Sequence, residues 1–121
     1  MKHAFAITLF LLSLHALLAS DAQSRSFDGE ISDSQCGFNV HSLHRSHAEM
    51  LKTGSMGKTD GECAERCVRQ MGGQFVFVSS AKGSAYKVEP QDEVKGYAGR
   101  KVRIWGTLID GHIQVNSIKA L

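Results

Sequence analysis

The sequence predicts a mainly β fold: a small five-stranded, OB-like barrel (oligonucleotide/oligosaccharide-binding type) with a two-helix Cys/His insert between its first two strands. Three observations predict it. Five short runs carry strand patterning, and a short helical stretch falls between the third and the fourth of them, the element order of an OB barrel. All three cysteines and three of the six histidines crowd into the connection between the first run and the second.

The chain of 121 residues opens with a leader pattern. Lys2 and His3 precede an almost wholly apolar run from Ala4 to Leu18, and Ser20-Asp21-Ala22 sets small residues where a signal peptidase reads. Residues 1–22 are therefore expected to be a signal peptide cleaved after Ala22, with export to the periplasm or the exterior. The apolar run is shorter than the roughly 20 residues a membrane span needs, so no stable membrane insertion is expected after cleavage. Residues 23–121 make one small domain. Fourteen Lys and Arg against twelve Asp and Glu leave a net charge of +2, too mild to point to nucleic acid.

Phe27-Asp28-Gly29-Glu30-Ile31 alternates apolar with polar and reads as the first strand. Ser32 to Gly37 reads as a turn that opens the insert, which runs over about 32–73. The first insert helix is expected from Val40 to Lys52, with Val40, Leu43, His47, Met50 and Leu51 on one face. The second is opened by Thr59 and Glu62 at capping-box spacing and closed by Gly72-Gly73. Gln74 to Ser79 is apolar on both faces, as a strand covered on both sides requires. Ala85 to Val88 reads as the return strand, and Gln91 to Ala98 as a short helix closed by Gly99. Lys101 to Leu108 alternates cleanly, with Val102, Ile104, Gly106 and Leu108 inward. Asp110-Gly111 is a hairpin signal leading into the last strand, His112 to Ile118. All strands are expected to pair antiparallel.

The segments Ile31-Ser32-Asp33-Ser34-Gln35-Cys36-Gly37, Cys63-x-x-x-Cys67-Val68, Gly73-Gln74-Phe75-Val76-Phe77-Val78 and Tyr97 to Leu108 carry a resemblance over nearly the whole chain after the leader. It resembles a family of small exported bacterial proteins of uncharacterised function, with an Asp-Ser-x-Cys-Gly and Cys-x-x-x-Cys insert. The resemblance implies a small β-barrel and brings no activity, substrate or cofactor with it.

The chemistry concentrates in the insert. Three thiolates from Cys36, Cys63 and Cys67 with one imidazole would make a tetrahedral site for zinc, and the soft ligands also suit copper(I). His41, five residues after Cys36, is the first candidate for the fourth ligand, and His47, in the apolar stripe, is the alternative. Cys63 and Cys67 are four apart on one helix and present both sulfurs to one side. The competing reading is a periplasmic or secreted binding module held by a disulfide from Cys36 to Cys63 or Cys67, the remaining thiol being buried. Its partner would be a protein, a glycan or a small ligand. Lys101, Arg103 and Trp105 on the outer face of the fourth strand are the candidate ligand surface, against the simpler reading of a solvated strand with a half-buried tryptophan. Catalysis is not expected. Cys-x-x-x-Cys is not the thioredoxin spacing, and no nucleophile elbow, phosphate loop or zincin motif is present.

Overall fold

The computed structural model describes residues 22–39 and 42–121. The leader expected over residues 1–22, apart from Ala22, lies outside them, as do Val40 and His41. In chain order the elements are β1 (Arg25–Asp33), α1 (Ser34–Gly37), α2 (Leu43–Leu51), α3 (Asp60–Gln70), β2 (Phe75–Ser79), β3 (Ala85–Glu89), α4 (Gln91–Val94), a 3-10 turn (Lys95–Tyr97), β4 (Lys101–Ile109) and β5 (His112–Ala120). The structure is mostly strand.

The five strands form one sheet whose pairings close on themselves in the order β1-β2-β3-β5-β4. β1 lies between β2 and β4, antiparallel to both. The expectation that every pair is antiparallel fails at one seam, where β3 and β5 run parallel with Lys87 opposite His112 and Val88 opposite Ile113. The reason is parity. Four antiparallel steps around a ring of five leave the last two strands pointing the same way, so an odd ring cannot alternate throughout. Gly29 sits where β1 crosses β2 at close range. A Cβ there would collide with the Val78 carbonyl oxygen and the Phe77 ring, which explains a glycine inside a strand.

The interior of the ring holds Ile31, Phe77, Val88, Val102, Ile104 and Ile113, all fully buried, with Val94 of α4 closing one end. Burying each such side chain is worth about 1.5–3 kcal/mol. β2 is covered on both sides, as its composition predicts: Phe75 and Phe77 join this core, whereas Val76 and Val78 meet Gly37 of α1 on the other side. Gln91 ties the closing helix to the sheet. Its Oε1 accepts from the Phe75 N–H at 2.8 Å, and its Nε2 donates to the carbonyls of Phe75 and Val88, each at 2.9 Å. The Asp110-Gly111 hairpin forms as expected, both residues having positive φ (48° and 78°).

Among the described residues, the insert between β1 and β2 contains three helices rather than two. The Ser32–Gly37 stretch, expected as a turn, ends β1 and then winds one helical turn because Asp33 caps it: Oδ1 accepts from the N–H groups of Gln35 (2.9 Å) and Cys36 (3.0 Å). Ser42 caps α2. Thr59 caps α3 by accepting from the Glu62 N–H at 3.2 Å, while Glu62 reaches back past the Thr59 N–H of a full capping box to accept from the N–H of Lys58. At its other end Met71 and Gly73 both donate to the Cys67 carbonyl, and Gly72 takes φ +71°. The start of α3 lies directly on the Ala98-Gly99 loop. A side chain at Gly61 would strike the Ala98 carbonyl, so this glycine sets how closely α3 approaches β1.

Candidate metal centre

Four elements converge under the insert. β1 brings Ser32 and Asp33, both fully buried, α1 brings Cys36, α2 brings His47, and α3 brings Asp60, Cys63 and Cys67. Their placement follows from local sequence. Asp33 ends β1 and caps α1, which turns Cys36 back over the strand end. His47 holds the middle of the α2 apolar face, and the start of α3 is fixed by Gly61 against the sheet.

Asp33 Oδ1 is fully used by the α1 cap. Its Oδ2 is buried with no hydrogen-bond partner and lies 3.8 Å from His47 Nε2. His47 is 1 % exposed. Its Nε2 is 3.3 Å from Ser32 Oγ, and its Nδ1 is 3.2 Å from Asp60 Oδ2, an ion-pair contact without the alignment of a hydrogen bond. One ligand atom each from Asp33, Cys36, His47 and Cys63 lie within 4.8 Å of one another, and all four residues are buried. Tetrahedral zinc, with bonds of about 2.0–2.3 Å, spaces its ligand atoms by about 3.3–3.8 Å, so a contraction of about 1.5 Å at most would close the set around an ion. Two sulfurs, an imidazole nitrogen and a carboxylate oxygen could hold a metal ion. Cys67, also fully buried, borders the set and directs its thiol at Gln35 Oε1, 3.7 Å away. Met56 joins the three cysteines in a small apolar cluster walled by Leu43, Met50 and Leu51.

Burial is the main cause of high thiol pKa values here: Cys36 and Cys63 are pushed up, and Cys67 is pushed up to about 12, the Asp33 charge adding to each. Burial works against the charged forms of Asp33 and His47 too, but mutual contact outweighs it. The His47 ring and the capping N–H groups hold Asp33 below its ordinary value, and Asp33 and Asp60 raise His47. Glu30 is raised, first by burial and then by the neighbouring Asp60 charge. In the metal-free cluster the three thiols are thus held neutral, and the His47 ring between two carboxylates is biased toward its protonated form. That state has a pH signature. A raised His47 pKa stabilises the fold fully below 6.5, its ordinary value, and the gain is lost as pH rises through the folded value. Melting of metal-free protein should accordingly move up from about pH 8 to about pH 6, whereas metal-loaded protein, whose ligands must stay deprotonated, should move down. Equal signs for the two forms would show that His47 is not the titrating ligand.

Sequence reasoning singled out Cys36, Cys63, Cys67 and His47, and the structure brings them together. His41 lies outside the described residues. Asp33 and Asp60 were missed, although Asp33 stands three residues before Cys36, the spacing of a helix cap. None of the three cysteines is in a disulfide. The proposed ligand surface on β4 has local partners: Arg103 makes a two-pronged pair with Asp28 at 2.6 Å and 2.6 Å, and Lys119 Nζ lies 5.3 Å above the Trp105 ring. Lys101 is exposed. Among the described residues, no helix is long and apolar enough to cross a membrane. Compared with protein families, with curated proteins and with solved structures, the chain matches none.

Proposed function

We propose that this chain is an exported, non-catalytic, OB-like barrel module whose insert is built around one zinc ion held by Asp33, Cys36, His47 and Cys63. The observation that carries the reading is Asp33, a fully buried carboxylate whose Oδ2 makes no aligned hydrogen bond, grouped with two cysteine sulfurs and an imidazole nitrogen. An unsatisfied buried acceptor costs about 1–3 kcal/mol, more when charged, and a cation among these atoms removes that cost. The carboxylate favours zinc over copper(I); the sulfurs of Cys67 and Met56 beside the set are what favour copper(I) as the second reading. Ligands that are 0–2 % exposed make a closed site, and a closed site is structural, since catalytic zinc keeps a position for water. The strand order β1-β2-β3-β5-β4, with α4 between β3 and β4, supports the OB-like reading. Export rests on the leader pattern of residues 1–22, and the resemblance to small exported bacterial proteins agrees with it.

Metal analysis of protein purified without an affinity tag, paired with a thiol count, tests this. The expected result is one zinc per chain, with three thiols that react only after unfolding and a lower melting temperature on chelation. Metal-free native protein with one disulfide and one free thiol would instead make the cysteines purely structural.

A further inference from the structure

His47 offers a ring nitrogen to each of two donor sets. Nε2 lies 3.8 Å from Asp33 Oδ2, on the side of the buried set with Cys36 and Cys63. Nδ1 faces the opposite way, 3.2 Å from Asp60 Oδ2, and is buried without an aligned hydrogen bond. On that side, one ligand atom each from Glu30, His47 and Asp60 lie within 4.8 Å of one another. Above Glu30 and Asp60 opens a cleft of about 310 Å³ that His44 also lines.

We propose that Glu30, Asp60 and Nδ1 of His47 form a second cation site, reached from solvent through this cleft, which takes a divalent ion of the zinc type and shares the His47 ring with the buried centre. The sharing rests on the zinc reading above; the outer donor set does not. Its chemistry differs from that of the inner set. Two carboxylates and an imidazole, with no sulfur, suit a borderline or hard divalent ion and give nothing to a soft monovalent one. Glu30 and Asp60 are only partly buried, so water can complete the coordination, whereas the inner ligands are closed off. The two crowded carboxylates repel each other, and a dication between them turns that repulsion into attraction. With only the inner ion bound, Nδ1 carries a proton and faces Asp60, the usual carboxylate–histidine–metal arrangement. Binding of the outer ion displaces that proton to solvent, and the ring is shared as imidazolate; no electrons move. Losing this proton makes the outer site the weaker of the two.

Titration of the full metal-free chain with Co²⁺, followed by absorbance, tests the proposal. The first equivalent should give intense near-ultraviolet thiolate-to-cobalt absorption, and a second, weaker equivalent only faint visible bands. Glu30→Gln should lose the second equivalent and keep the first, Cys63→Ser should lose the thiolate band and keep a faint one, and His47→Ala should lose both. If Glu30→Gln misfolds by circular dichroism, the ¹⁵N resonance of His47 Nδ1 in the unaltered chain decides, since the diamagnetic Zn²⁺ should shift it between the first and second equivalents. Saturation of the unaltered chain at one thiolate-bound ion, or a second equivalent untouched by Glu30→Gln, overturns the proposal and leaves Asp60 as a partner of the ring N–H. A single faint equivalent that depends on Glu30, with no thiolate band, supports the outer site and sinks the buried one.

Discussion

Cys63→Ser should abolish the thiolate-bound ion and lower the melting midpoint by more than about 10 °C, whereas Cys67→Ser should keep that ion. The difference follows from position on α3. Cys63 belongs to the four atoms that approach within 4.8 Å, while Cys67 stands beside them and points its thiol at Gln35. Serine is nearly isosteric with cysteine, but its hydroxyl does not ionise near neutral pH and is a poor zinc ligand. Ion binding to a site absent from the unfolded chain is folding free energy, of order ten kcal/mol in small zinc domains, so losing even a third of it shifts the midpoint by well over 10 °C, at about 4–8 °C per kcal/mol. A chelator should strongly destabilise the unaltered protein and the Cys67→Ser variant but shift Cys63→Ser far less. Cys63→Ser protein that binds as much zinc as the unaltered chain and loses as much stability to chelator would remove Cys63 from the ligand set.

Ile104→Asp unfolds the protein, and Lys101→Ala on the same strand is nearly silent. Ile104 is fully buried among Ile31, Phe77 and Ile113 inside the strand ring, while Lys101 is exposed. Replacing the side chain by a carboxylate forfeits about 2–3 kcal/mol of apolar burial and adds several more for an unpaired buried charge. A domain of this size has only about 5–15 kcal/mol in all. Removing the Lys101 side chain takes away no buried contact and should stay within about 0.5 kcal/mol. Denaturant unfolding of both variants provides the comparison; similar midpoints would mean that the faces of β4 are assigned the wrong way round.

The contrast within β4 was legible because it is local. Strict alternation in Lys101–Leu108 sets the two faces, Asp110-Gly111 sets the hairpin, and Thr59 with Glu62 sets the start of α3, each within a few residues. The parallel seam between β3 and β5 was not legible, since no residue in either strand encodes it; it follows from closing a ring of five. Asp33 shows the same limit at the site. An aspartate in a Ser-Asp-Ser run reads as a turn former, and half of it is one, through the Oδ1 cap. Only burial beneath α2 and α3 reveals that the carboxylate is also grouped with two cysteines. His47 could be found from the apolar periodicity of α2, but the partners on each side of its ring come from β1 and α3, beyond the reach of any local pattern.

The apolar interior is divided. Cys36, Met56, Cys63 and Cys67 make a cluster apart from the one that contains Phe77 and Ile104, and of the four inner ligands only Asp33 belongs to a strand. The interior thus has two apolar clusters joined through the end of β1, and an ion held as proposed above would brace only one of them. On that reading the helical insert would open before the strand ring, so metal supply would set how much of the chain is folded at once and not merely how firmly.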